Sequence, residues 1–377
     1  MKNVVIAGYV RSPFTLATKG ALARVRPDDL AAQVVSALIK RTGISPADVE
    51  DLVVGCAFPE GEQGFNVARN IGLLAELPQS VAGMTVNRFC GSSMQSVHIA
   101  AGQIQLGAGE VFIAAGVESM SRVPMMGFNP LPNPALQAKT PAYISMGETA
   151  ENVAKKWNIE RRAQEAFAVR SQQRAAAAVT KGHFAEEIVP ITSKGGTVDK
   201  DGCPRPDTTA EGLAQLKPAF SAEGTVTAGT ASPLTDGAAA VLVCSEEYAA
   251  RQRLTPLARI RSVAVAGCAP EIMGIGPVAA TRKALQRAGI EIGAVDVVEL
   301  NEVFASQSLA CMRDLDLREE TVNIDGGAIA LGHPLGATGA RIVGKAASLL
   351  KRTGGRYALA TQCIGGGQGI ATLLERV

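Results

Sequence analysis

Two cysteines and one histidine fall in three separate turns built from small residues. The turns are Asn87-Arg88-Phe89-Cys90-Gly91-Ser92-Ser93, Gly332-His333-Pro334-Leu335-Gly336 and Cys363-Ile364-Gly365-Gly366-Gly367. Glycine and serine let a backbone bend closely around a ligand. Two thiols and one imidazole suit two proton-handling steps around one covalent intermediate, as acyl transfer requires. Cys90 lies between a predicted strand and a predicted helix, where the positive helix end favours thiolate over thiol. It is the candidate nucleophile, against the plain alternative of a buried small side chain. His333 is the candidate base. Cys363 opens a glycine-rich turn whose N–H groups, Gly365 among them, are placed to face an oxyanion or to form a plain β-turn. Asn301, in Asn301-Glu302-Val303-Phe304, follows a predicted strand, where α/β folds often place site residues. It reads equally as a helix N-cap.

These groups need rigid elements to hold them. Short apolar runs at 4–7, 52–56, 84–86 and 111–115 predict strands. Leu30, Val34, Val35 and Leu38 recur at helical spacing and predict a helix over 28–40. A second helix is expected over 92–106, with Met94, Val97, His98 and Ile104 among its less exposed positions, and Ser45-Pro46 reads as an N-cap with proline following. The pattern returns with strands at 259–266, 297–300, 322–324 and 357–361 and helices at 277–288, 303–315 and 338–351. Thr85-Val86-Asn87 and Thr321-Val322-Asn323 occupy matching places, which favours a duplicated α/β unit with a mostly parallel sheet. Between the repeats, 120–235 is proline-rich and carries the only tryptophan, Trp157, with a helix expected over 160–180. It reads as an inserted loop domain, the kind of segment that shapes binding sites.

The chain has 377 residues, 47% of them hydrophobic, and a net charge of +2. That balance offers no field for nucleic acid or an anionic membrane. No apolar run approaches the roughly 18 residues of a spanning helix. Seven cysteines, an odd number with no Cys-x-x-Cys, argue against a disulfide framework or a zinc ribbon and fit a reducing cytoplasm. No metal site is expected. Gly339 to Ala346 has nearly the spacing of a phosphate loop, but its last residue is alanine and it reads as mid-helix.

Taken together, the motifs resemble the thiolase family over essentially the whole chain. The matching blocks are 87–95, Gly116-Val117-Glu118-Ser119-Met120, the Asn-Glu-x-Phe segment at 301–304, 326–336 and Cys363-Ile364-Gly365-Gly366-Gly367-Gln368-Gly369. The resemblance implies a thiolase fold: two βαβαβαββ halves in a layered α/β/α/β/α core. Residues 1–119 with about 236–255 would form the first half, 120–235 the inserted coenzyme-binding loop domain, and 256–377 the second half. It implies that Cys90 is acylated, that His333 activates it and that Cys363 is the second acid/base. Asn301 would hold a water in one oxyanion hole shared with His333, and the N–H groups of Cys90 and Gly365 would form the other.

For the coenzyme, Arg205 matches the arginine against the adenine, and Ser232 the serine on the pantetheine arm, with Ala228 in the same segment. Met146, Met273 and Phe304 match the lining of the thioester pocket. Val303 stands where alanine is usual, Ser145 where some biosynthetic members have histidine, and Gly212 where some have serine. Blocks 87–95, 263–273 and 363–369 look closer to degradative 3-ketoacyl-CoA thiolases of fatty-acid β-oxidation. The resemblance further implies coenzyme A thioesters as substrates with no tightly bound cofactor, a homodimer or homotetramer, and a hydratase/dehydrogenase subunit as a partner in a β-oxidation complex. Other readings stay open: a biosynthetic acetoacetyl-CoA thiolase, a ketoacyl synthase, or a non-catalytic acyl-CoA-binding protein of the same fold.

Overall fold

The computed structural model describes residues 2–377. The first half runs β1 (Val4–Arg11), α1 (Pro27–Thr42), β2 (Asp51–Gly55), α2 (Val67–Leu74), β3 (Ala82–Val86), α3 (Ser92–Leu106) and β4 (Val111–Ser119). The segment that follows carries α4 (Met146–Lys156), α5 (Arg161–Thr180) and a small hairpin of Ile191–Ser193 with Gly196–Val198, before β5 (Thr235–Ser245) returns to the sheet. The second half runs β6 (Ala258–Gly267), α6 (Gly276–Ala288), β7 (Val297–Leu300), α7 (Ala305–Asp314), α8 (Leu335–Thr353), β8 (Tyr357–Ile364) and β9 (Gln368–Glu375). Among the described residues no helix is long and apolar enough to cross a membrane.

The strands lie in the order β7-β8-β9-β6-β1-β5-β4-β2-β3. Period-two alternation decides what each face packs on. In β1, Val5 and Val10 join the cluster formed with α1 and α2, while Val4 and Ile6 turn to the cluster of α3 and α8. In β4, Val111, Ile113 and Ala115 face the first cluster and Phe112 and Ala114 the second. On the other side α6 and α7 pack with Leu300, Leu359, Ala371 and Leu373. The result is five layers, with α3 and α8 sandwiched between the two half-sheets. Those central helices touch backbone to backbone: a Cβ at Gly339 would lie 2.2 Å from the amide nitrogen of Met94.

Three expectations need correction. The sheet is mixed rather than mostly parallel. β2–β3, β2–β4 and β7–β8 are parallel, but β5 and β9 each enter antiparallel, and β1 meets β6 antiparallel at Val5–Arg259 and Ile6–Ala258. β9 follows β8 through a tight glycine turn, which can only reverse the chain. Residues 322–324 form no strand, only a single bridge from Val322 to Val298. There the Asn323 side chain takes the ladder's role, accepting from Leu300 N (2.9 Å) and donating to Leu300 O (2.8 Å). Nor is Asn301 an N-cap: α7 starts at Ala305, with Phe304 in the cap position.

Candidate active site

Cys90 stands two residues before α3, in a turn that begins at the end of β3. The turn is strained: Phe89 has φ +43, unusual for a bulky residue. Ser92 holds it, accepting from Arg88 N (2.9 Å) and donating to Phe89 O (2.6 Å). A Cβ at Gly91 would lie 2.6 Å from Ile364 Cδ1, so any larger residue there must displace that side chain. The Gly365 N–H lies near enough to the Cys90 sulfur to favour its thiolate, and Gln362 Nε2 donates to the Cys90 carbonyl. Cys363 lies close enough for the two thiols to influence each other's ionisation. It sits at the end of β8 rather than in the turn proper, which is Gly365-Gly366-Gly367 with Gly366 and Gly367 at φ +79 and +86.

His333 is buried, not exposed, and immediately precedes α8. Its backbone N–H donates to Thr235 Oγ1 (3.1 Å), and its Nδ1 lies 2.6 Å from Thr338 Oγ1, one turn into the helix. Asn301 Nδ2 lies 3.5 Å from both ring nitrogens, over the imidazole rather than in line with either lone pair. Asn301 Oδ1 is buried with no protein partner. Asn301 N donates to Thr361 O (3.0 Å), so the β7–β8 ladder places Asn301 beside the strand that carries Cys363.

Glu118 ties the two turns together. Its buried carboxylate accepts from Ala57 N (2.8 Å), Gly336 N (2.9 Å) and Gln63 Nε2 (2.8 Å). It thereby fixes the start of α8 against the ends of β2 and β4, and Leu335 packs in one small cluster with Cys90, Ala57 and Met120. Sequence reading quoted Glu118 only as part of a motif. Glu118 and Gln362 were missed because each acts through tertiary contacts, and Thr338 because its contact with His333 depends on the fold of the turn before α8; the one available signal was a carboxylate in an otherwise apolar strand.

Burial reverses the expected state of the nucleophile. Desolvation pushes the Cys90 thiol up to about 11, against the opposing pull of the Gly365 and Cys90 N–H groups. The helix end does not make it a thiolate. Burial, and then the Arg341 charge, pushes His333 down to about 3. The resting pair is therefore a neutral thiol and a neutral imidazole, ready to receive a proton. Cys363 is also pushed well above its ordinary range by burial.

Cys363 packs in an apolar cluster with Ala150, Val226, Ala231, Met273, Val303 and Phe304, with Met146 beside them. Met146, Met273 and Phe304 thus converge on the second thiol. Ser232 is half-buried on the rim, its N–H bonded to Val303 O (2.9 Å). Arg205 and Ala228 are exposed and farther out; Arg205 N donates to Gln172 Oε1 (2.7 Å). Ser145 caps α4 in a capping box with Glu148. Gly212 lies in the short helix Ala210–Ala214, where its N–H donates to Thr209 Oγ1 (3.1 Å).

Residues 4–247 match the thiolase N-terminal domain and residues 254–376 the thiolase C-terminal domain. The chain is 49% identical over 389 residues to a 3-ketoacyl-CoA thiolase of Bacillus subtilis, and 49% identical over 392 residues to one of Aeromonas salmonicida, each over the full length of both proteins. Among solved structures, the Bacillus anthracis acetyl-CoA acetyltransferase superposes with a TM-score of 0.92 at 42% identity, covering 100% of this chain and 99% of that one. Human mitochondrial 3-ketoacyl-CoA thiolase in complex with CoA gives 0.92 at 39% identity, covering 100% and 98%.

Proposed function

This chain belongs to the thiolase family, and on that basis we propose that it cleaves 3-ketoacyl-CoA with coenzyme A to acetyl-CoA and a shortened acyl-CoA. Cys90 attacks the 3-keto carbon while His333 takes the thiol proton. The resulting alkoxide collapses, the bond between C2 and C3 breaks, and an acyl-Cys90 remains. Cys363 donates its proton to C2 of the departing acetyl-CoA enolate. Cys363, now a thiolate, takes the proton of an incoming coenzyme A thiol. The coenzyme sulfur attacks the acyl carbon, and the Cys90 sulfur leaves with the proton returned by His333. The reverse sequence condenses two thioesters.

Each step creates a negative oxygen that needs donors already in place. The N–H groups of Gly365 and Cys90 serve the acyl-enzyme oxyanion. Asn301 and His333 serve the enolate oxygen, with the free Asn301 Oδ1 accepting from the water held between them. Losing one such donor typically costs about 3–4 kcal/mol in the barrier. The observation that carries the reading is the docking of the 362–365 segment on Cys90, with Gln362 bonded to the Cys90 carbonyl and the Gly365 N–H and Cys363 near its sulfur.

Met146, Met273 and Phe304 line the thioester pocket, while Ser232, Ala228 and Arg205 follow the coenzyme outward to its adenine. The degradative direction is favoured by the 3-ketoacyl-CoA thiolases among its full-length relatives; this would place the chain in fatty-acid β-oxidation in the cytoplasm. A homodimer is supported by β3, which is half-exposed at the sheet edge, and by Phe65, Leu73 and Leu74 standing exposed near it. A hydratase/dehydrogenase partner belongs to the same reading. Incubation with 3-ketoacyl-CoA followed by mass spectrometry should find the acyl group on Cys90. Cys90→Ala should lose both label and turnover; turnover retained by that variant would refute the scheme.

A further inference from the structure

The gap between β7 and α8 holds two stacked layers of buried polar groups, and the His333–Asn301 pair is only the upper one. Strand alternation puts Glu299 on the same face as Asn301. On α8, Arg341 lies one turn beyond Thr338, the residue that touches the imidazole. Arg341 Nη1 donates to Glu299 Oε2 at 3.1 Å, with the two side chains 1% and 0% exposed. Arg341 Nε and Nη2, Glu299 Oε1 and the nearby Tyr9 hydroxyl have no protein partner among the described residues.

A second buried arginine shows what a pair with filled hydrogen bonds looks like. Arg11 spends its donors on Glu187 and both oxygens of Asp201. Arg341, equally buried, makes one such contact. Burying an ion pair is a poor source of stability, and an incompletely bonded one is poorer. The lower layer therefore has a reason to exist other than holding the fold.

We propose that Arg341 and Glu299 form a positioning pair for the catalytic base: the pair, completed by ordered water, sets the field and the spacing at the His333–Asn301 layer so that the imidazole rests in its proton-accepting form. This rests on His333 acting as the base. Arg341 is the charged group that joins burial in holding His333 down. Glu299 is itself pushed up to about 7 by burial, against Arg341 and Lys345. Near neutral pH its charge is thus poised. The other groups facing this gap are Lys345 on α8, Tyr9 and Arg11 on β1, and Glu187 and Asp325 from the loops. Cys203 lies beside Gly332, and Glu118 approaches from the Cys90 side. Water is the usual partner for buried donors and acceptors left over in this way.

The test is the pH profile of iodoacetamide alkylation at Cys90, read by mass spectrometry on the full chain. This needs no acyl transfer, so failure of the thiolase reading would show separately, as wild-type protein that alkylates but does not turn over. Removing a cation raises the midpoint of a neighbouring group, and removing an anion lowers it. Arg341→Met should raise the midpoint by about one pH unit, a tenfold change in rate at fixed pH. Glu299→Gln should move it the other way, and Arg341→Lys should restore the wild-type midpoint. Melting curves identify any variant that fails to fold; Arg341→Lys and Glu299→Gln, the smallest changes, then carry the comparison. Unchanged midpoints in folded Arg341→Met and Glu299→Gln would overturn the proposal, as would an Arg341→Lys midpoint shifted as far as that of Arg341→Met.

Discussion

The turn that carries Cys90 and the turn that carries His333 occupy matching places in the two halves, each just before a central helix, yet they are built differently. The first follows β3, a five-residue edge strand that is mostly half-exposed, and passes through Phe89 at φ +43 with 40% of its surface open. The second lies in a stretch where nearly every residue from Ala328 to Leu350 is buried, and its counterpart of β3 has shrunk to the bridge at Val322. The two copies have divided the work. The first half holds a buried thiol beside the open rim at Phe89. The second supplies the dry interior in which a proton acceptor keeps its ordinary charge state.

That contrast can be broken most severely at the thiols. Cys363→Ala should still acquire an acyl group at Cys90 but turn over very poorly, because the enolate and the incoming thiol lose their acid/base. Mass spectrometry separates it from Cys90→Ala, which should do neither. Full turnover by Cys363→Ala would contradict the division of roles. Next in size is the seam between the halves. Gly339→Ala forces a Cβ onto the backbone of α3 and should cost on the order of 3 kcal/mol in urea unfolding. Gly102→Ala, on α3 where a Cβ would meet nothing within 4 Å, should instead stabilise by about 0.5–1 kcal/mol. Equal effects would mean that α3 and α8 do not meet as described. The smallest effect is expected at Val303. Val303→Ala removes bulk from the apolar cluster beside Cys363 and should shift kcat/KM toward bulkier acyl chains by about tenfold or less.

Much of this was legible in the chain. Helix 92–106 was read with its observed ends because Gly91 and Gly107 flank it, and strand 297–300 likewise because a short apolar run ends there between Asp296 and Asn301. The two thiols and the imidazole stood out because small residues surround them. What stayed hidden was set by the third dimension. The antiparallel entry of β5 depends on how a long intervening segment returns. The ladder at 322 is replaced by a side chain that no propensity describes. Most of all, the charge state of Cys90 could not be inferred from its place before a helix, since desolvation by the surrounding chain outweighs the helix end. Glu118 and Gln362 were invisible for the same reason, their partners being far away in sequence, and Thr338 because its contact depends on how the turn before α8 folds His333 back onto the helix.

Gln362 and the Cys90 carbonyl it holds are 272 residues apart. The nucleophile is thus completed by a hairpin that leaves the ribosome long after the cysteine does. Until that hairpin docks, a nascent polypeptide has a thiol without its oxyanion donors or its second proton carrier. On the proposed mechanism, a molecule lacking that hairpin would be unable to consume thioesters.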